Sequence, residues 1–163
     1  MNKLFFPVLA ALALSGAALA EKMVITMSGI TVKVDCAQID TKGKTCTQVC
    51  KDIDKHPEIA CRMEGNRLVI TYGDTCLDTL GDFEPLALIA HPGEPVDVEL
   101  EPQEGALSLW TDGPVDVIAF DLEGAEVGAW AGIEALELPA QGGLSLEITS
   151  WEGDAALELQ LTP

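Results

Sequence analysis

Apolar and polar residues alternate with a period of two over most of this chain. "MVITMSGITVKV" at residues 23–34 alternates around Ser28 and Gly29, which predicts a short hairpin or two half-buried strands. "NRLVITY" at residues 66–72 and the apolar residues 86–90 predict two more strands. The first part of the molecule is therefore expected to contain several short strands.

One helix interrupts these strands. The polar loop "DTKGKT" leads to Thr45 and Thr47, either of which can act as an N-cap, and we expect the helix to continue to about Lys55. It should end there because His56 precedes Pro57, and the residue before a proline disfavours helical geometry. A single helical turn is predicted at residues 76–80. Residues 21–90 are thus expected to form a small α+β part.

From residue 91 onward, short β segments follow one another at a spacing typical of an antiparallel sandwich or barrel. Turn residues separate them: "PVDVELEP", "GALSLWTDG", "PVDVIAFDLEG", "AEVGAW", "IEALELPA", "GGLSLEITSWEGD" and "AALELQLTP". In the sixth segment, Leu144, Leu146 and Ile148 should face the core. In the third, apolar residues such as Val117 and Ile118 fall on both faces, so we expect that strand to be covered on both sides. The predicted fold class is mainly β, with a jelly-roll-like antiparallel sandwich at residues 91–163.

Two stretches of the second part, "PVDVIAFDLEGAEV" and "LELPAQGGLSLEITSWEGDAALELQLTP", have a distinctive hydrophobic spacing and distinctive turn glycines. Residues 94–163, which contain them, resemble the bacterial pre-peptidase C-terminal type of β-sandwich. The chain departs from that family in its closing strand, where Ala155, Leu157 and Leu159 stand in place of the usual aromatic residue. The resemblance implies an exported accessory module that binds calcium or polymeric substrates and has no chemistry of its own.

Residues 1–20 have the composition of a secretory signal peptide. They contain Lys3, an apolar stretch at residues 4–14, and small residues at positions 18 and 20, so we expect cleavage after Ala20. The apolar stretch is shorter than the roughly 20 residues that cross a bilayer, and no later segment is suited to do so. We therefore expect a periplasmic or secreted protein without a membrane span.

Charge divides the chain into two unlike parts. All eight basic residues that follow residue 20 lie at or before Arg67, whereas residues 68–163 contain twenty Asp and Glu and no Lys or Arg. A surface this acidic repels nucleic acid and lacks cations for phosphate contacts, so nucleic-acid binding is excluded. The same field attracts divalent cations or a basic partner protein, and it also favours solubility.

Five cysteines are expected in a compartment where disulfides form and persist: Cys36, Cys46, Cys50, Cys61 and Cys76. Cys46 and Cys50 lie one helical turn apart on the same face, so each should bond to a neighbouring element rather than to the other. Several pairings remain compatible with the sequence. We favour Cys36 with Cys46 and Cys50 with Cys61, which leaves Cys76 as the odd cysteine.

An alternative interpretation gives these cysteines a functional task. Cys46 and Cys50 with His56 and Met63 are soft ligands suited to copper(I), as in a periplasmic copper or thiol-handling protein. However, no βαβ pattern surrounds the cysteine pair and no Cys-Pro follows it. We therefore prefer a structural role for the cysteines.

The acidic turns of the second part offer oxygen ligands for calcium. The candidates lie in "TDGPVD" and "FDLEGAE": Asp112, Asp116, Asp121, Glu123 and Glu126. No D-x-[DN]-x-[DN]-G loop is present, and the alternative is a solvated acidic face.

No catalytic motif is recognisable. His56 and His91 each precede a proline, and no G-x-S-x-G, H-E-x-x-H or phosphate-binding glycine loop occurs. Trp110, Trp130 and Trp151 at strand ends suggest a sugar platform if exposed, although aromatic residues of β proteins more often pack in the core or at an edge. We expect no enzyme activity and no cofactor other than calcium.

These features favour a non-catalytic exported binding or accessory protein. We expect the acidic sandwich to engage a partner protein, a polymer or calcium, and a basic partner suits its charge. The protein would then act alone or as an accessory subunit of a larger exported assembly.

Overall fold

The computed structural model of the chain describes residues 21–73, 86–90 and 94–162. The predicted signal peptide, the predicted helical turn at residues 76–80, Cys76 and His91 lie outside these residues. The described residues form ten strands, one α-helix and one short 3-10 helix. Their bounds are β1 Glu21–Ser28, β2 Thr31–Asp35, the 3-10 helix Cys36–Gln38, α1 Cys46–Asp54, β3 Ile59–Glu64, β4 Arg67–Tyr72, β5 Leu86–Ala90, β6 Val96–Leu100, β7 Ala106–Phe120, β8 Glu126–Pro139, β9 Leu144–Ser150 and β10 Ala155–Thr162.

The two strands predicted at residues 23–34 are β1 and β2, and they do not form a hairpin with each other. β1 pairs with β10 and β5, whereas β2 pairs with β4 and β6. Gly29 between them has a φ of 67°, which glycine adopts at little cost. The Gly29 N–H donates to the carbonyl of Gly73 at 3.0 Å, so the chain turns here from one part of the sheet to another.

The predicted helix is α1, and its N-cap is Thr45. The Thr45 hydroxyl accepts a hydrogen bond from the Gln48 N–H at 3.2 Å, and Lys55 forms the C-cap two residues before Pro57. Asp52 accepts hydrogen bonds from Lys44 and from the Gln48 side chain, both at 2.8 Å. The hydrogen bond from Lys44 has the larger effect and that from Gln48 the next, and they lower the pKa of Asp52 to about 2. α1 packs against β3, a strand that the sequence reasoning missed.

The ten strands form one curled sheet of mixed direction. Its order is β3-β4-β2-β6-β9-β7-β10-β1-β5, and β8 pairs with β7. β1 and β10 run parallel, while the strands after residue 94 pair with one another antiparallel, as predicted for the second part. The mainly β fold class is thus confirmed, and the jelly-roll arrangement stays a prediction.

The sheet curls because β7 pairs with two different strands, β10 and then β9, along one of its edges. Residues 106–111 of β7 pair with β10, whereas residues 115–120 pair with β9. The segment after β2 also contacts β5, the last strand of the order. Ile39 forms a β-bridge with Leu88, and the Asp40 N–H donates to the Ala87 carbonyl at 2.9 Å. The curl therefore brings distant strands of the order together around one core.

Strands from both predicted parts share this sheet and its core. β1 lies between β5 and β10, and β2 pairs with β6. The buried cluster contains residues from both sides of the predicted boundary at residue 90, for example Ile25 and Val32 from the first part and Leu146 and Leu157 from the second. The boundary that charge and composition mark in the sequence is therefore crossed by hydrogen-bonded ladders.

The alternation predicted for β9 is confirmed, because Leu144, Leu146 and Ile148 are buried. β7 differs from expectation. Val117 and its inward neighbours are fully buried, but Ile118 on the opposite face is 37% exposed, so this strand is covered on one side only. The prediction that β7 is covered on both faces is therefore wrong at Ile118, which faces outward.

β7 and β8 are each longer than predicted. "GALSLWTDG" and "PVDVIAFDLEG" join into one strand, and so do "AEVGAW" and "IEALELPA". Gly113 and Pro114, which suggested a break in the strand, lie where the register shifts between Trp110 and Val115, so β7 continues past them as an irregular strand. The Thr111 hydroxyl donates to the Gly113 carbonyl at 3.0 Å, which satisfies a polar group inside the irregular stretch.

Because the sheet is shared, loss of packing in the first part should destabilise the whole molecule. Ile25, which is 1% exposed in β1 between Leu157 and Leu86, is a suitable probe. We expect Ile25→Ala to reduce the free energy of unfolding by about 2–5 kcal/mol. Far-UV circular dichroism reports the whole sheet, whereas tryptophan emission reports the second part, which contains all three tryptophans.

Both signals should shift together in this variant, as in a two-state transition. Thr26→Ala, a change at a half-buried neighbour on the same strand, is the matched control and should have a small effect. A tryptophan transition that stays at the wild-type midpoint while the dichroism signal shifts would show that the two parts unfold independently.

Candidate binding surface

The four cysteines of the described chain form two disulfide pairs. Cys36 bonds to Cys46 and Cys50 bonds to Cys61, with Cα–Cα distances of 6.1 and 5.4 Å. These are the two pairs that the sequence favoured. They tie α1 to the end of β2 on one side and to β3 on the other, so the helix is braced at both of its cysteines.

The copper ligands proposed from the sequence are not assembled into a site. Cys46 and Cys50 are bonded to different partners, and His56 Nδ1 accepts a hydrogen bond from the Glu58 N–H at 3.1 Å. Met63 packs against the core. Among the residues that the structure describes, no three His, Cys, Asp or Glu side chains are placed to hold a metal ion.

The calcium candidates are likewise engaged elsewhere or dispersed. One oxygen of Asp112 accepts from the Ala156 N–H at 2.9 Å, and one oxygen of Asp121 accepts from the N–H groups of Glu123 and Ala125 at 3.0 and 2.9 Å. Asp116 accepts from a glycine N–H and a tryptophan indole. The side chains of Glu123 and Glu126 are exposed. Three of the five carboxylates therefore stabilise turns and strand contacts.

The three tryptophans do not form one platform. Trp130 is half-buried and packs against the core, with its ring over Gly128. Trp151 lies over Gly132, while Trp110 borders a shallow depression with Thr26 and Glu158 on β1 and β10. A sugar platform formed by all three rings therefore has no support in this arrangement.

Basic side chains of the first part neutralise the edge of the second. Lys33 Nζ on β2 lies 3.2 Å from a Glu64 oxygen, 3.7 Å from Glu101 and 3.9 Å from Glu99. Arg62 and Arg67 reach Glu101 and Glu99 at 3.6 and 3.5 Å. Exposed ion pairs contribute little singly, but this network joins β3, β4 and β2 to β6. Among the described residues after residue 94, no other carboxylate lies within ion-pair distance of these three basic side chains.

A row of three carboxylates crosses the outer face of β2, β6 and β9, next to this network. Asp97 on β6 lies opposite Glu147 on β9, and Asp35 follows Val34, whose partner is Val98. We call Asp35, Asp97 and Glu147 the carboxylate row. A groove of about 450 Å³ contains it, lined also by Arg67, Phe120 and Ser145.

Repulsion within the row affects Asp97 in particular. Partial burial of its carboxyl in the groove, then Glu147, then Asp35, raise the pKa of Asp97 above its ordinary value of 3.8. Sequence reasoning missed the row, because its members come from three distant segments. The alternation in β9 placed Glu147 outward, but only the strand order reveals its neighbours.

Within the described residues, no helix has the length and apolar character needed to cross a membrane. Comparisons with family models, curated proteins and solved structures find no match for the chain. The resemblance to the pre-peptidase C-terminal sandwich therefore stays a prediction.

Removal of the disulfides should reveal their structural role. The two bonds close loops with sequence separations of 10 and 11, and chain entropy alone predicts a loss of about 3 kcal/mol in the free energy of unfolding for each. Cys50→Ser/Cys61→Ser should cost more than Cys36→Ser/Cys46→Ser, because Cys50 is buried and serine would place a hydroxyl in the core.

Urea denaturation of the oxidised variants measures both losses. Equal stability of the wild type and both double variants would contradict a bracing role. Free thiols in the purified wild type, with copper bound in stoichiometric amount and lost in Cys46→Ser, would support the copper interpretation instead.

The charge of Asp97 should destabilise the fold at neutral pH. Since its folded pKa is raised, the unfavourable contribution is present when the carboxyl is ionised and is lost as the pH falls through that raised pKa. We expect Asp97→Asn to raise the Tm at pH 7, with a smaller gain below pH 3.8, where the group is protonated in both states. Glu152→Gln, an exposed change outside the groove, is the control for lost charge. A gain at pH 7 no larger than that of Glu152→Gln would contradict the repulsion.

Proposed function

We propose that the protein is a non-catalytic exported binding protein whose acidic surface engages a basic partner protein. One observation carries this proposal, namely the distribution of ion pairs. Within the described part of the chain, Glu99 and Glu101 are the only acidic residues after residue 94 that form ion pairs with a basic side chain. The remaining acidic surface is left for a cation from outside.

A basic partner would gain more from this surface than from scattered acidic residues. Carboxylates of one sign on a rigid sheet raise the local concentration of cationic groups and speed association. At the carboxylate row, a lysine or arginine from a partner would relieve the repulsion that raises the pKa of Asp97. The row is therefore the expected centre of attraction.

The two disulfides support an exported location, because such bonds persist in oxidising compartments. The predicted signal peptide supports the same location. The copper alternative is not favoured by any contact, since the sulfurs of Cys46 and Cys50 bond to different partners. Calcium would bind as a competitor at the acidic surface, and the same assay tests it.

Titration with short oligolysine tests the proposal. Binding should be measurable at low ionic strength and should weaken as salt rises from about 0.05 to 0.5 M, because exposed charges are screened beyond a Debye length of roughly 10 Å at 0.1 M. Asp97→Asn/Glu147→Gln should weaken it roughly threefold to tenfold, as expected for two exposed ion pairs. Calorimetry with and without added calcium measures each affinity.

Glu104→Gln/Glu137→Gln removes the same number of exposed charges away from the carboxylate row and from the turn of the β7–β8 hairpin, and is the matched control. The control should lose less affinity than the row variant. Absence of oligolysine binding at low salt, or equal loss in both variants, would contradict the proposal that the row is the centre of a basic-partner surface.

A further inference from the structure

Large apolar side chains are exposed along the half of the β7–β8 hairpin that is nearer its turn. Among the described residues, the large hydrophobic side chains with the greatest exposure are Trp110 at 43%, Ile118 at 37%, Leu122 at 44%, Val127 at 50% and Trp151 at 58%. Ile118 and Val127 lie on the hairpin, Leu122 lies in its turn, and Trp151 packs on Gly132 of β8. We call Ile118, Leu122, Val127 and Trp151 the apolar patch.

Trp151 is fixed in its exposed position. Its indole N–H donates to Asp116 Oδ1 at 2.6 Å, and the same oxygen accepts the Gly132 N–H at 2.9 Å. A Cβ on Gly132 would come within 2.8 Å of the Trp151 ring, so the glycine allows the ring to lie flat on the strand. Hydrogen bonds to a carboxylate are strong, and the ring is thus held without being buried.

The turn of the hairpin is fixed in the same manner. Asp121 accepts hydrogen bonds from the N–H groups of Glu123 and Ala125. Leu122, inside this turn, packs over Gly143, where a Cβ would come within 2.6 Å of the leucine. The patch is therefore ordered before any partner arrives, which reduces the entropy cost of binding.

The patch is continuous with the carboxylate row. Ile118 lies opposite Glu147 in the pairing of β7 with β9, and Ala129, which is exposed, lies opposite Ile118 in the pairing with β8. Phe120, two residues further along β7, lines the groove that contains the row. An apolar centre beside a charged border is the anatomy of a protein–protein interface.

Charge selects the occupant of this surface. A second copy would bring its own carboxylate row against the first, and the chain carries a formal net charge of −18, so self-association is opposed. A partner with apolar side chains flanked by lysine or arginine would bury the patch and neutralise the row at the same time. β8 pairs with β7 alone among the described strands, so the partner also finds an open strand edge beside the patch.

We propose that the apolar patch and the carboxylate row form one interface for a basic partner protein that presents alternating apolar and cationic side chains. This inference rests on the proposed function and adds that the partner is also recognised through contacts with the apolar patch. Trp151 is the residue on which most of the binding energy depends, since exposed, rigidly held tryptophans dominate such interfaces.

Two short peptides of equal charge test the inference on the full exported protein. In one, lysine alternates with valine; in the other, lysine alternates with serine. The valine peptide should bind about tenfold more tightly to the wild type. Trp151→Ala should remove most of this preference, and Val127→Ser should reduce it roughly threefold through lost apolar area.

Trp110→Ala is the matched control, because Trp110 has similar exposure and lies outside the patch; it should keep the full preference. Val127→Ser keeps the test valid if Trp151→Ala disturbs the fold, since no hydrogen bond of the Val127 side chain is lost. Equal binding of the two peptides, or equal loss in Trp110→Ala, would overturn the apolar interface while leaving the acidic binding function intact. Failure of both peptides to bind at low salt would instead refute the proposed function.

Sedimentation of the protein without peptide tests whether a second copy of the chain occupies the patch. A monomer across the concentration range agrees with the inference. A dimer that Val127→Ser dissociates would overturn it and assign the patch to contacts between copies.

Discussion

The fold depends on the change of neighbour along β7. If β7 paired with a single strand throughout, the other strands would extend as one open sheet, with apolar residues of its inner face left in water. Because residues 106–111 pair with β10 and residues 115–120 with β9, the sheet curls and its two halves enclose one core. β8 follows β7 through both halves, with register shifts that increase local twist. The same hairpin therefore shapes the core and carries the exposed patch along the half that is nearer its turn.

The curled sheet also explains how the molecule accommodates its uneven charge. Lys33, Arg62 and Arg67 lie on strands whose neighbour is β6, so they meet the first acidic strand of the second part and neutralise it. Arg67 lines the same groove as Asp97 and Glu147 but forms its ion pair with Glu99 instead, and repulsion from Glu147 contributes to the raised pKa of Asp97. Burial of about thirty apolar side chains in one core, together with two disulfides, outweighs this repulsion. Stability thus comes from the core and the bracing, and the surface charge remains available for binding.

Local pattern predicted the elements well and their neighbours poorly. Thr45 and Pro57 bounded the helix, and the alternation of Leu144, Leu146 and Ile148 indicated an inward face, because these signals act between residues close in sequence. The pairing of β1 with β10 joins segments more than a hundred residues apart, and no local signal encodes it. The carboxylate row was missed for the same reason. The two disulfides join cysteines only 10 and 11 residues apart in sequence. The spacing of the cysteines was therefore enough to favour the correct pairs.

Two groups of acidic residues in the second part have different tasks. Asp112, Asp116 and Asp121 each accept N–H groups, so part of their capacity to bind a cation is already used. The bond of Asp112 joins β7 to β10, whereas those of Asp116 and Asp121 stabilise the β7–β8 hairpin. Asp97 and Glu147 line a groove, where the charge of Glu147 contributes to the raised pKa of Asp97. Asp116 holds Trp151 in place and Asp121 holds the turn that contains Leu122, while the second group supplies negative charge on the neighbouring strands. Each carboxylate of the first group uses one oxygen for these hydrogen bonds, so a metal ion would have to bind through the remaining lone pairs, whereas the proposed protein-binding surface requires only that the bonds keep their present geometry.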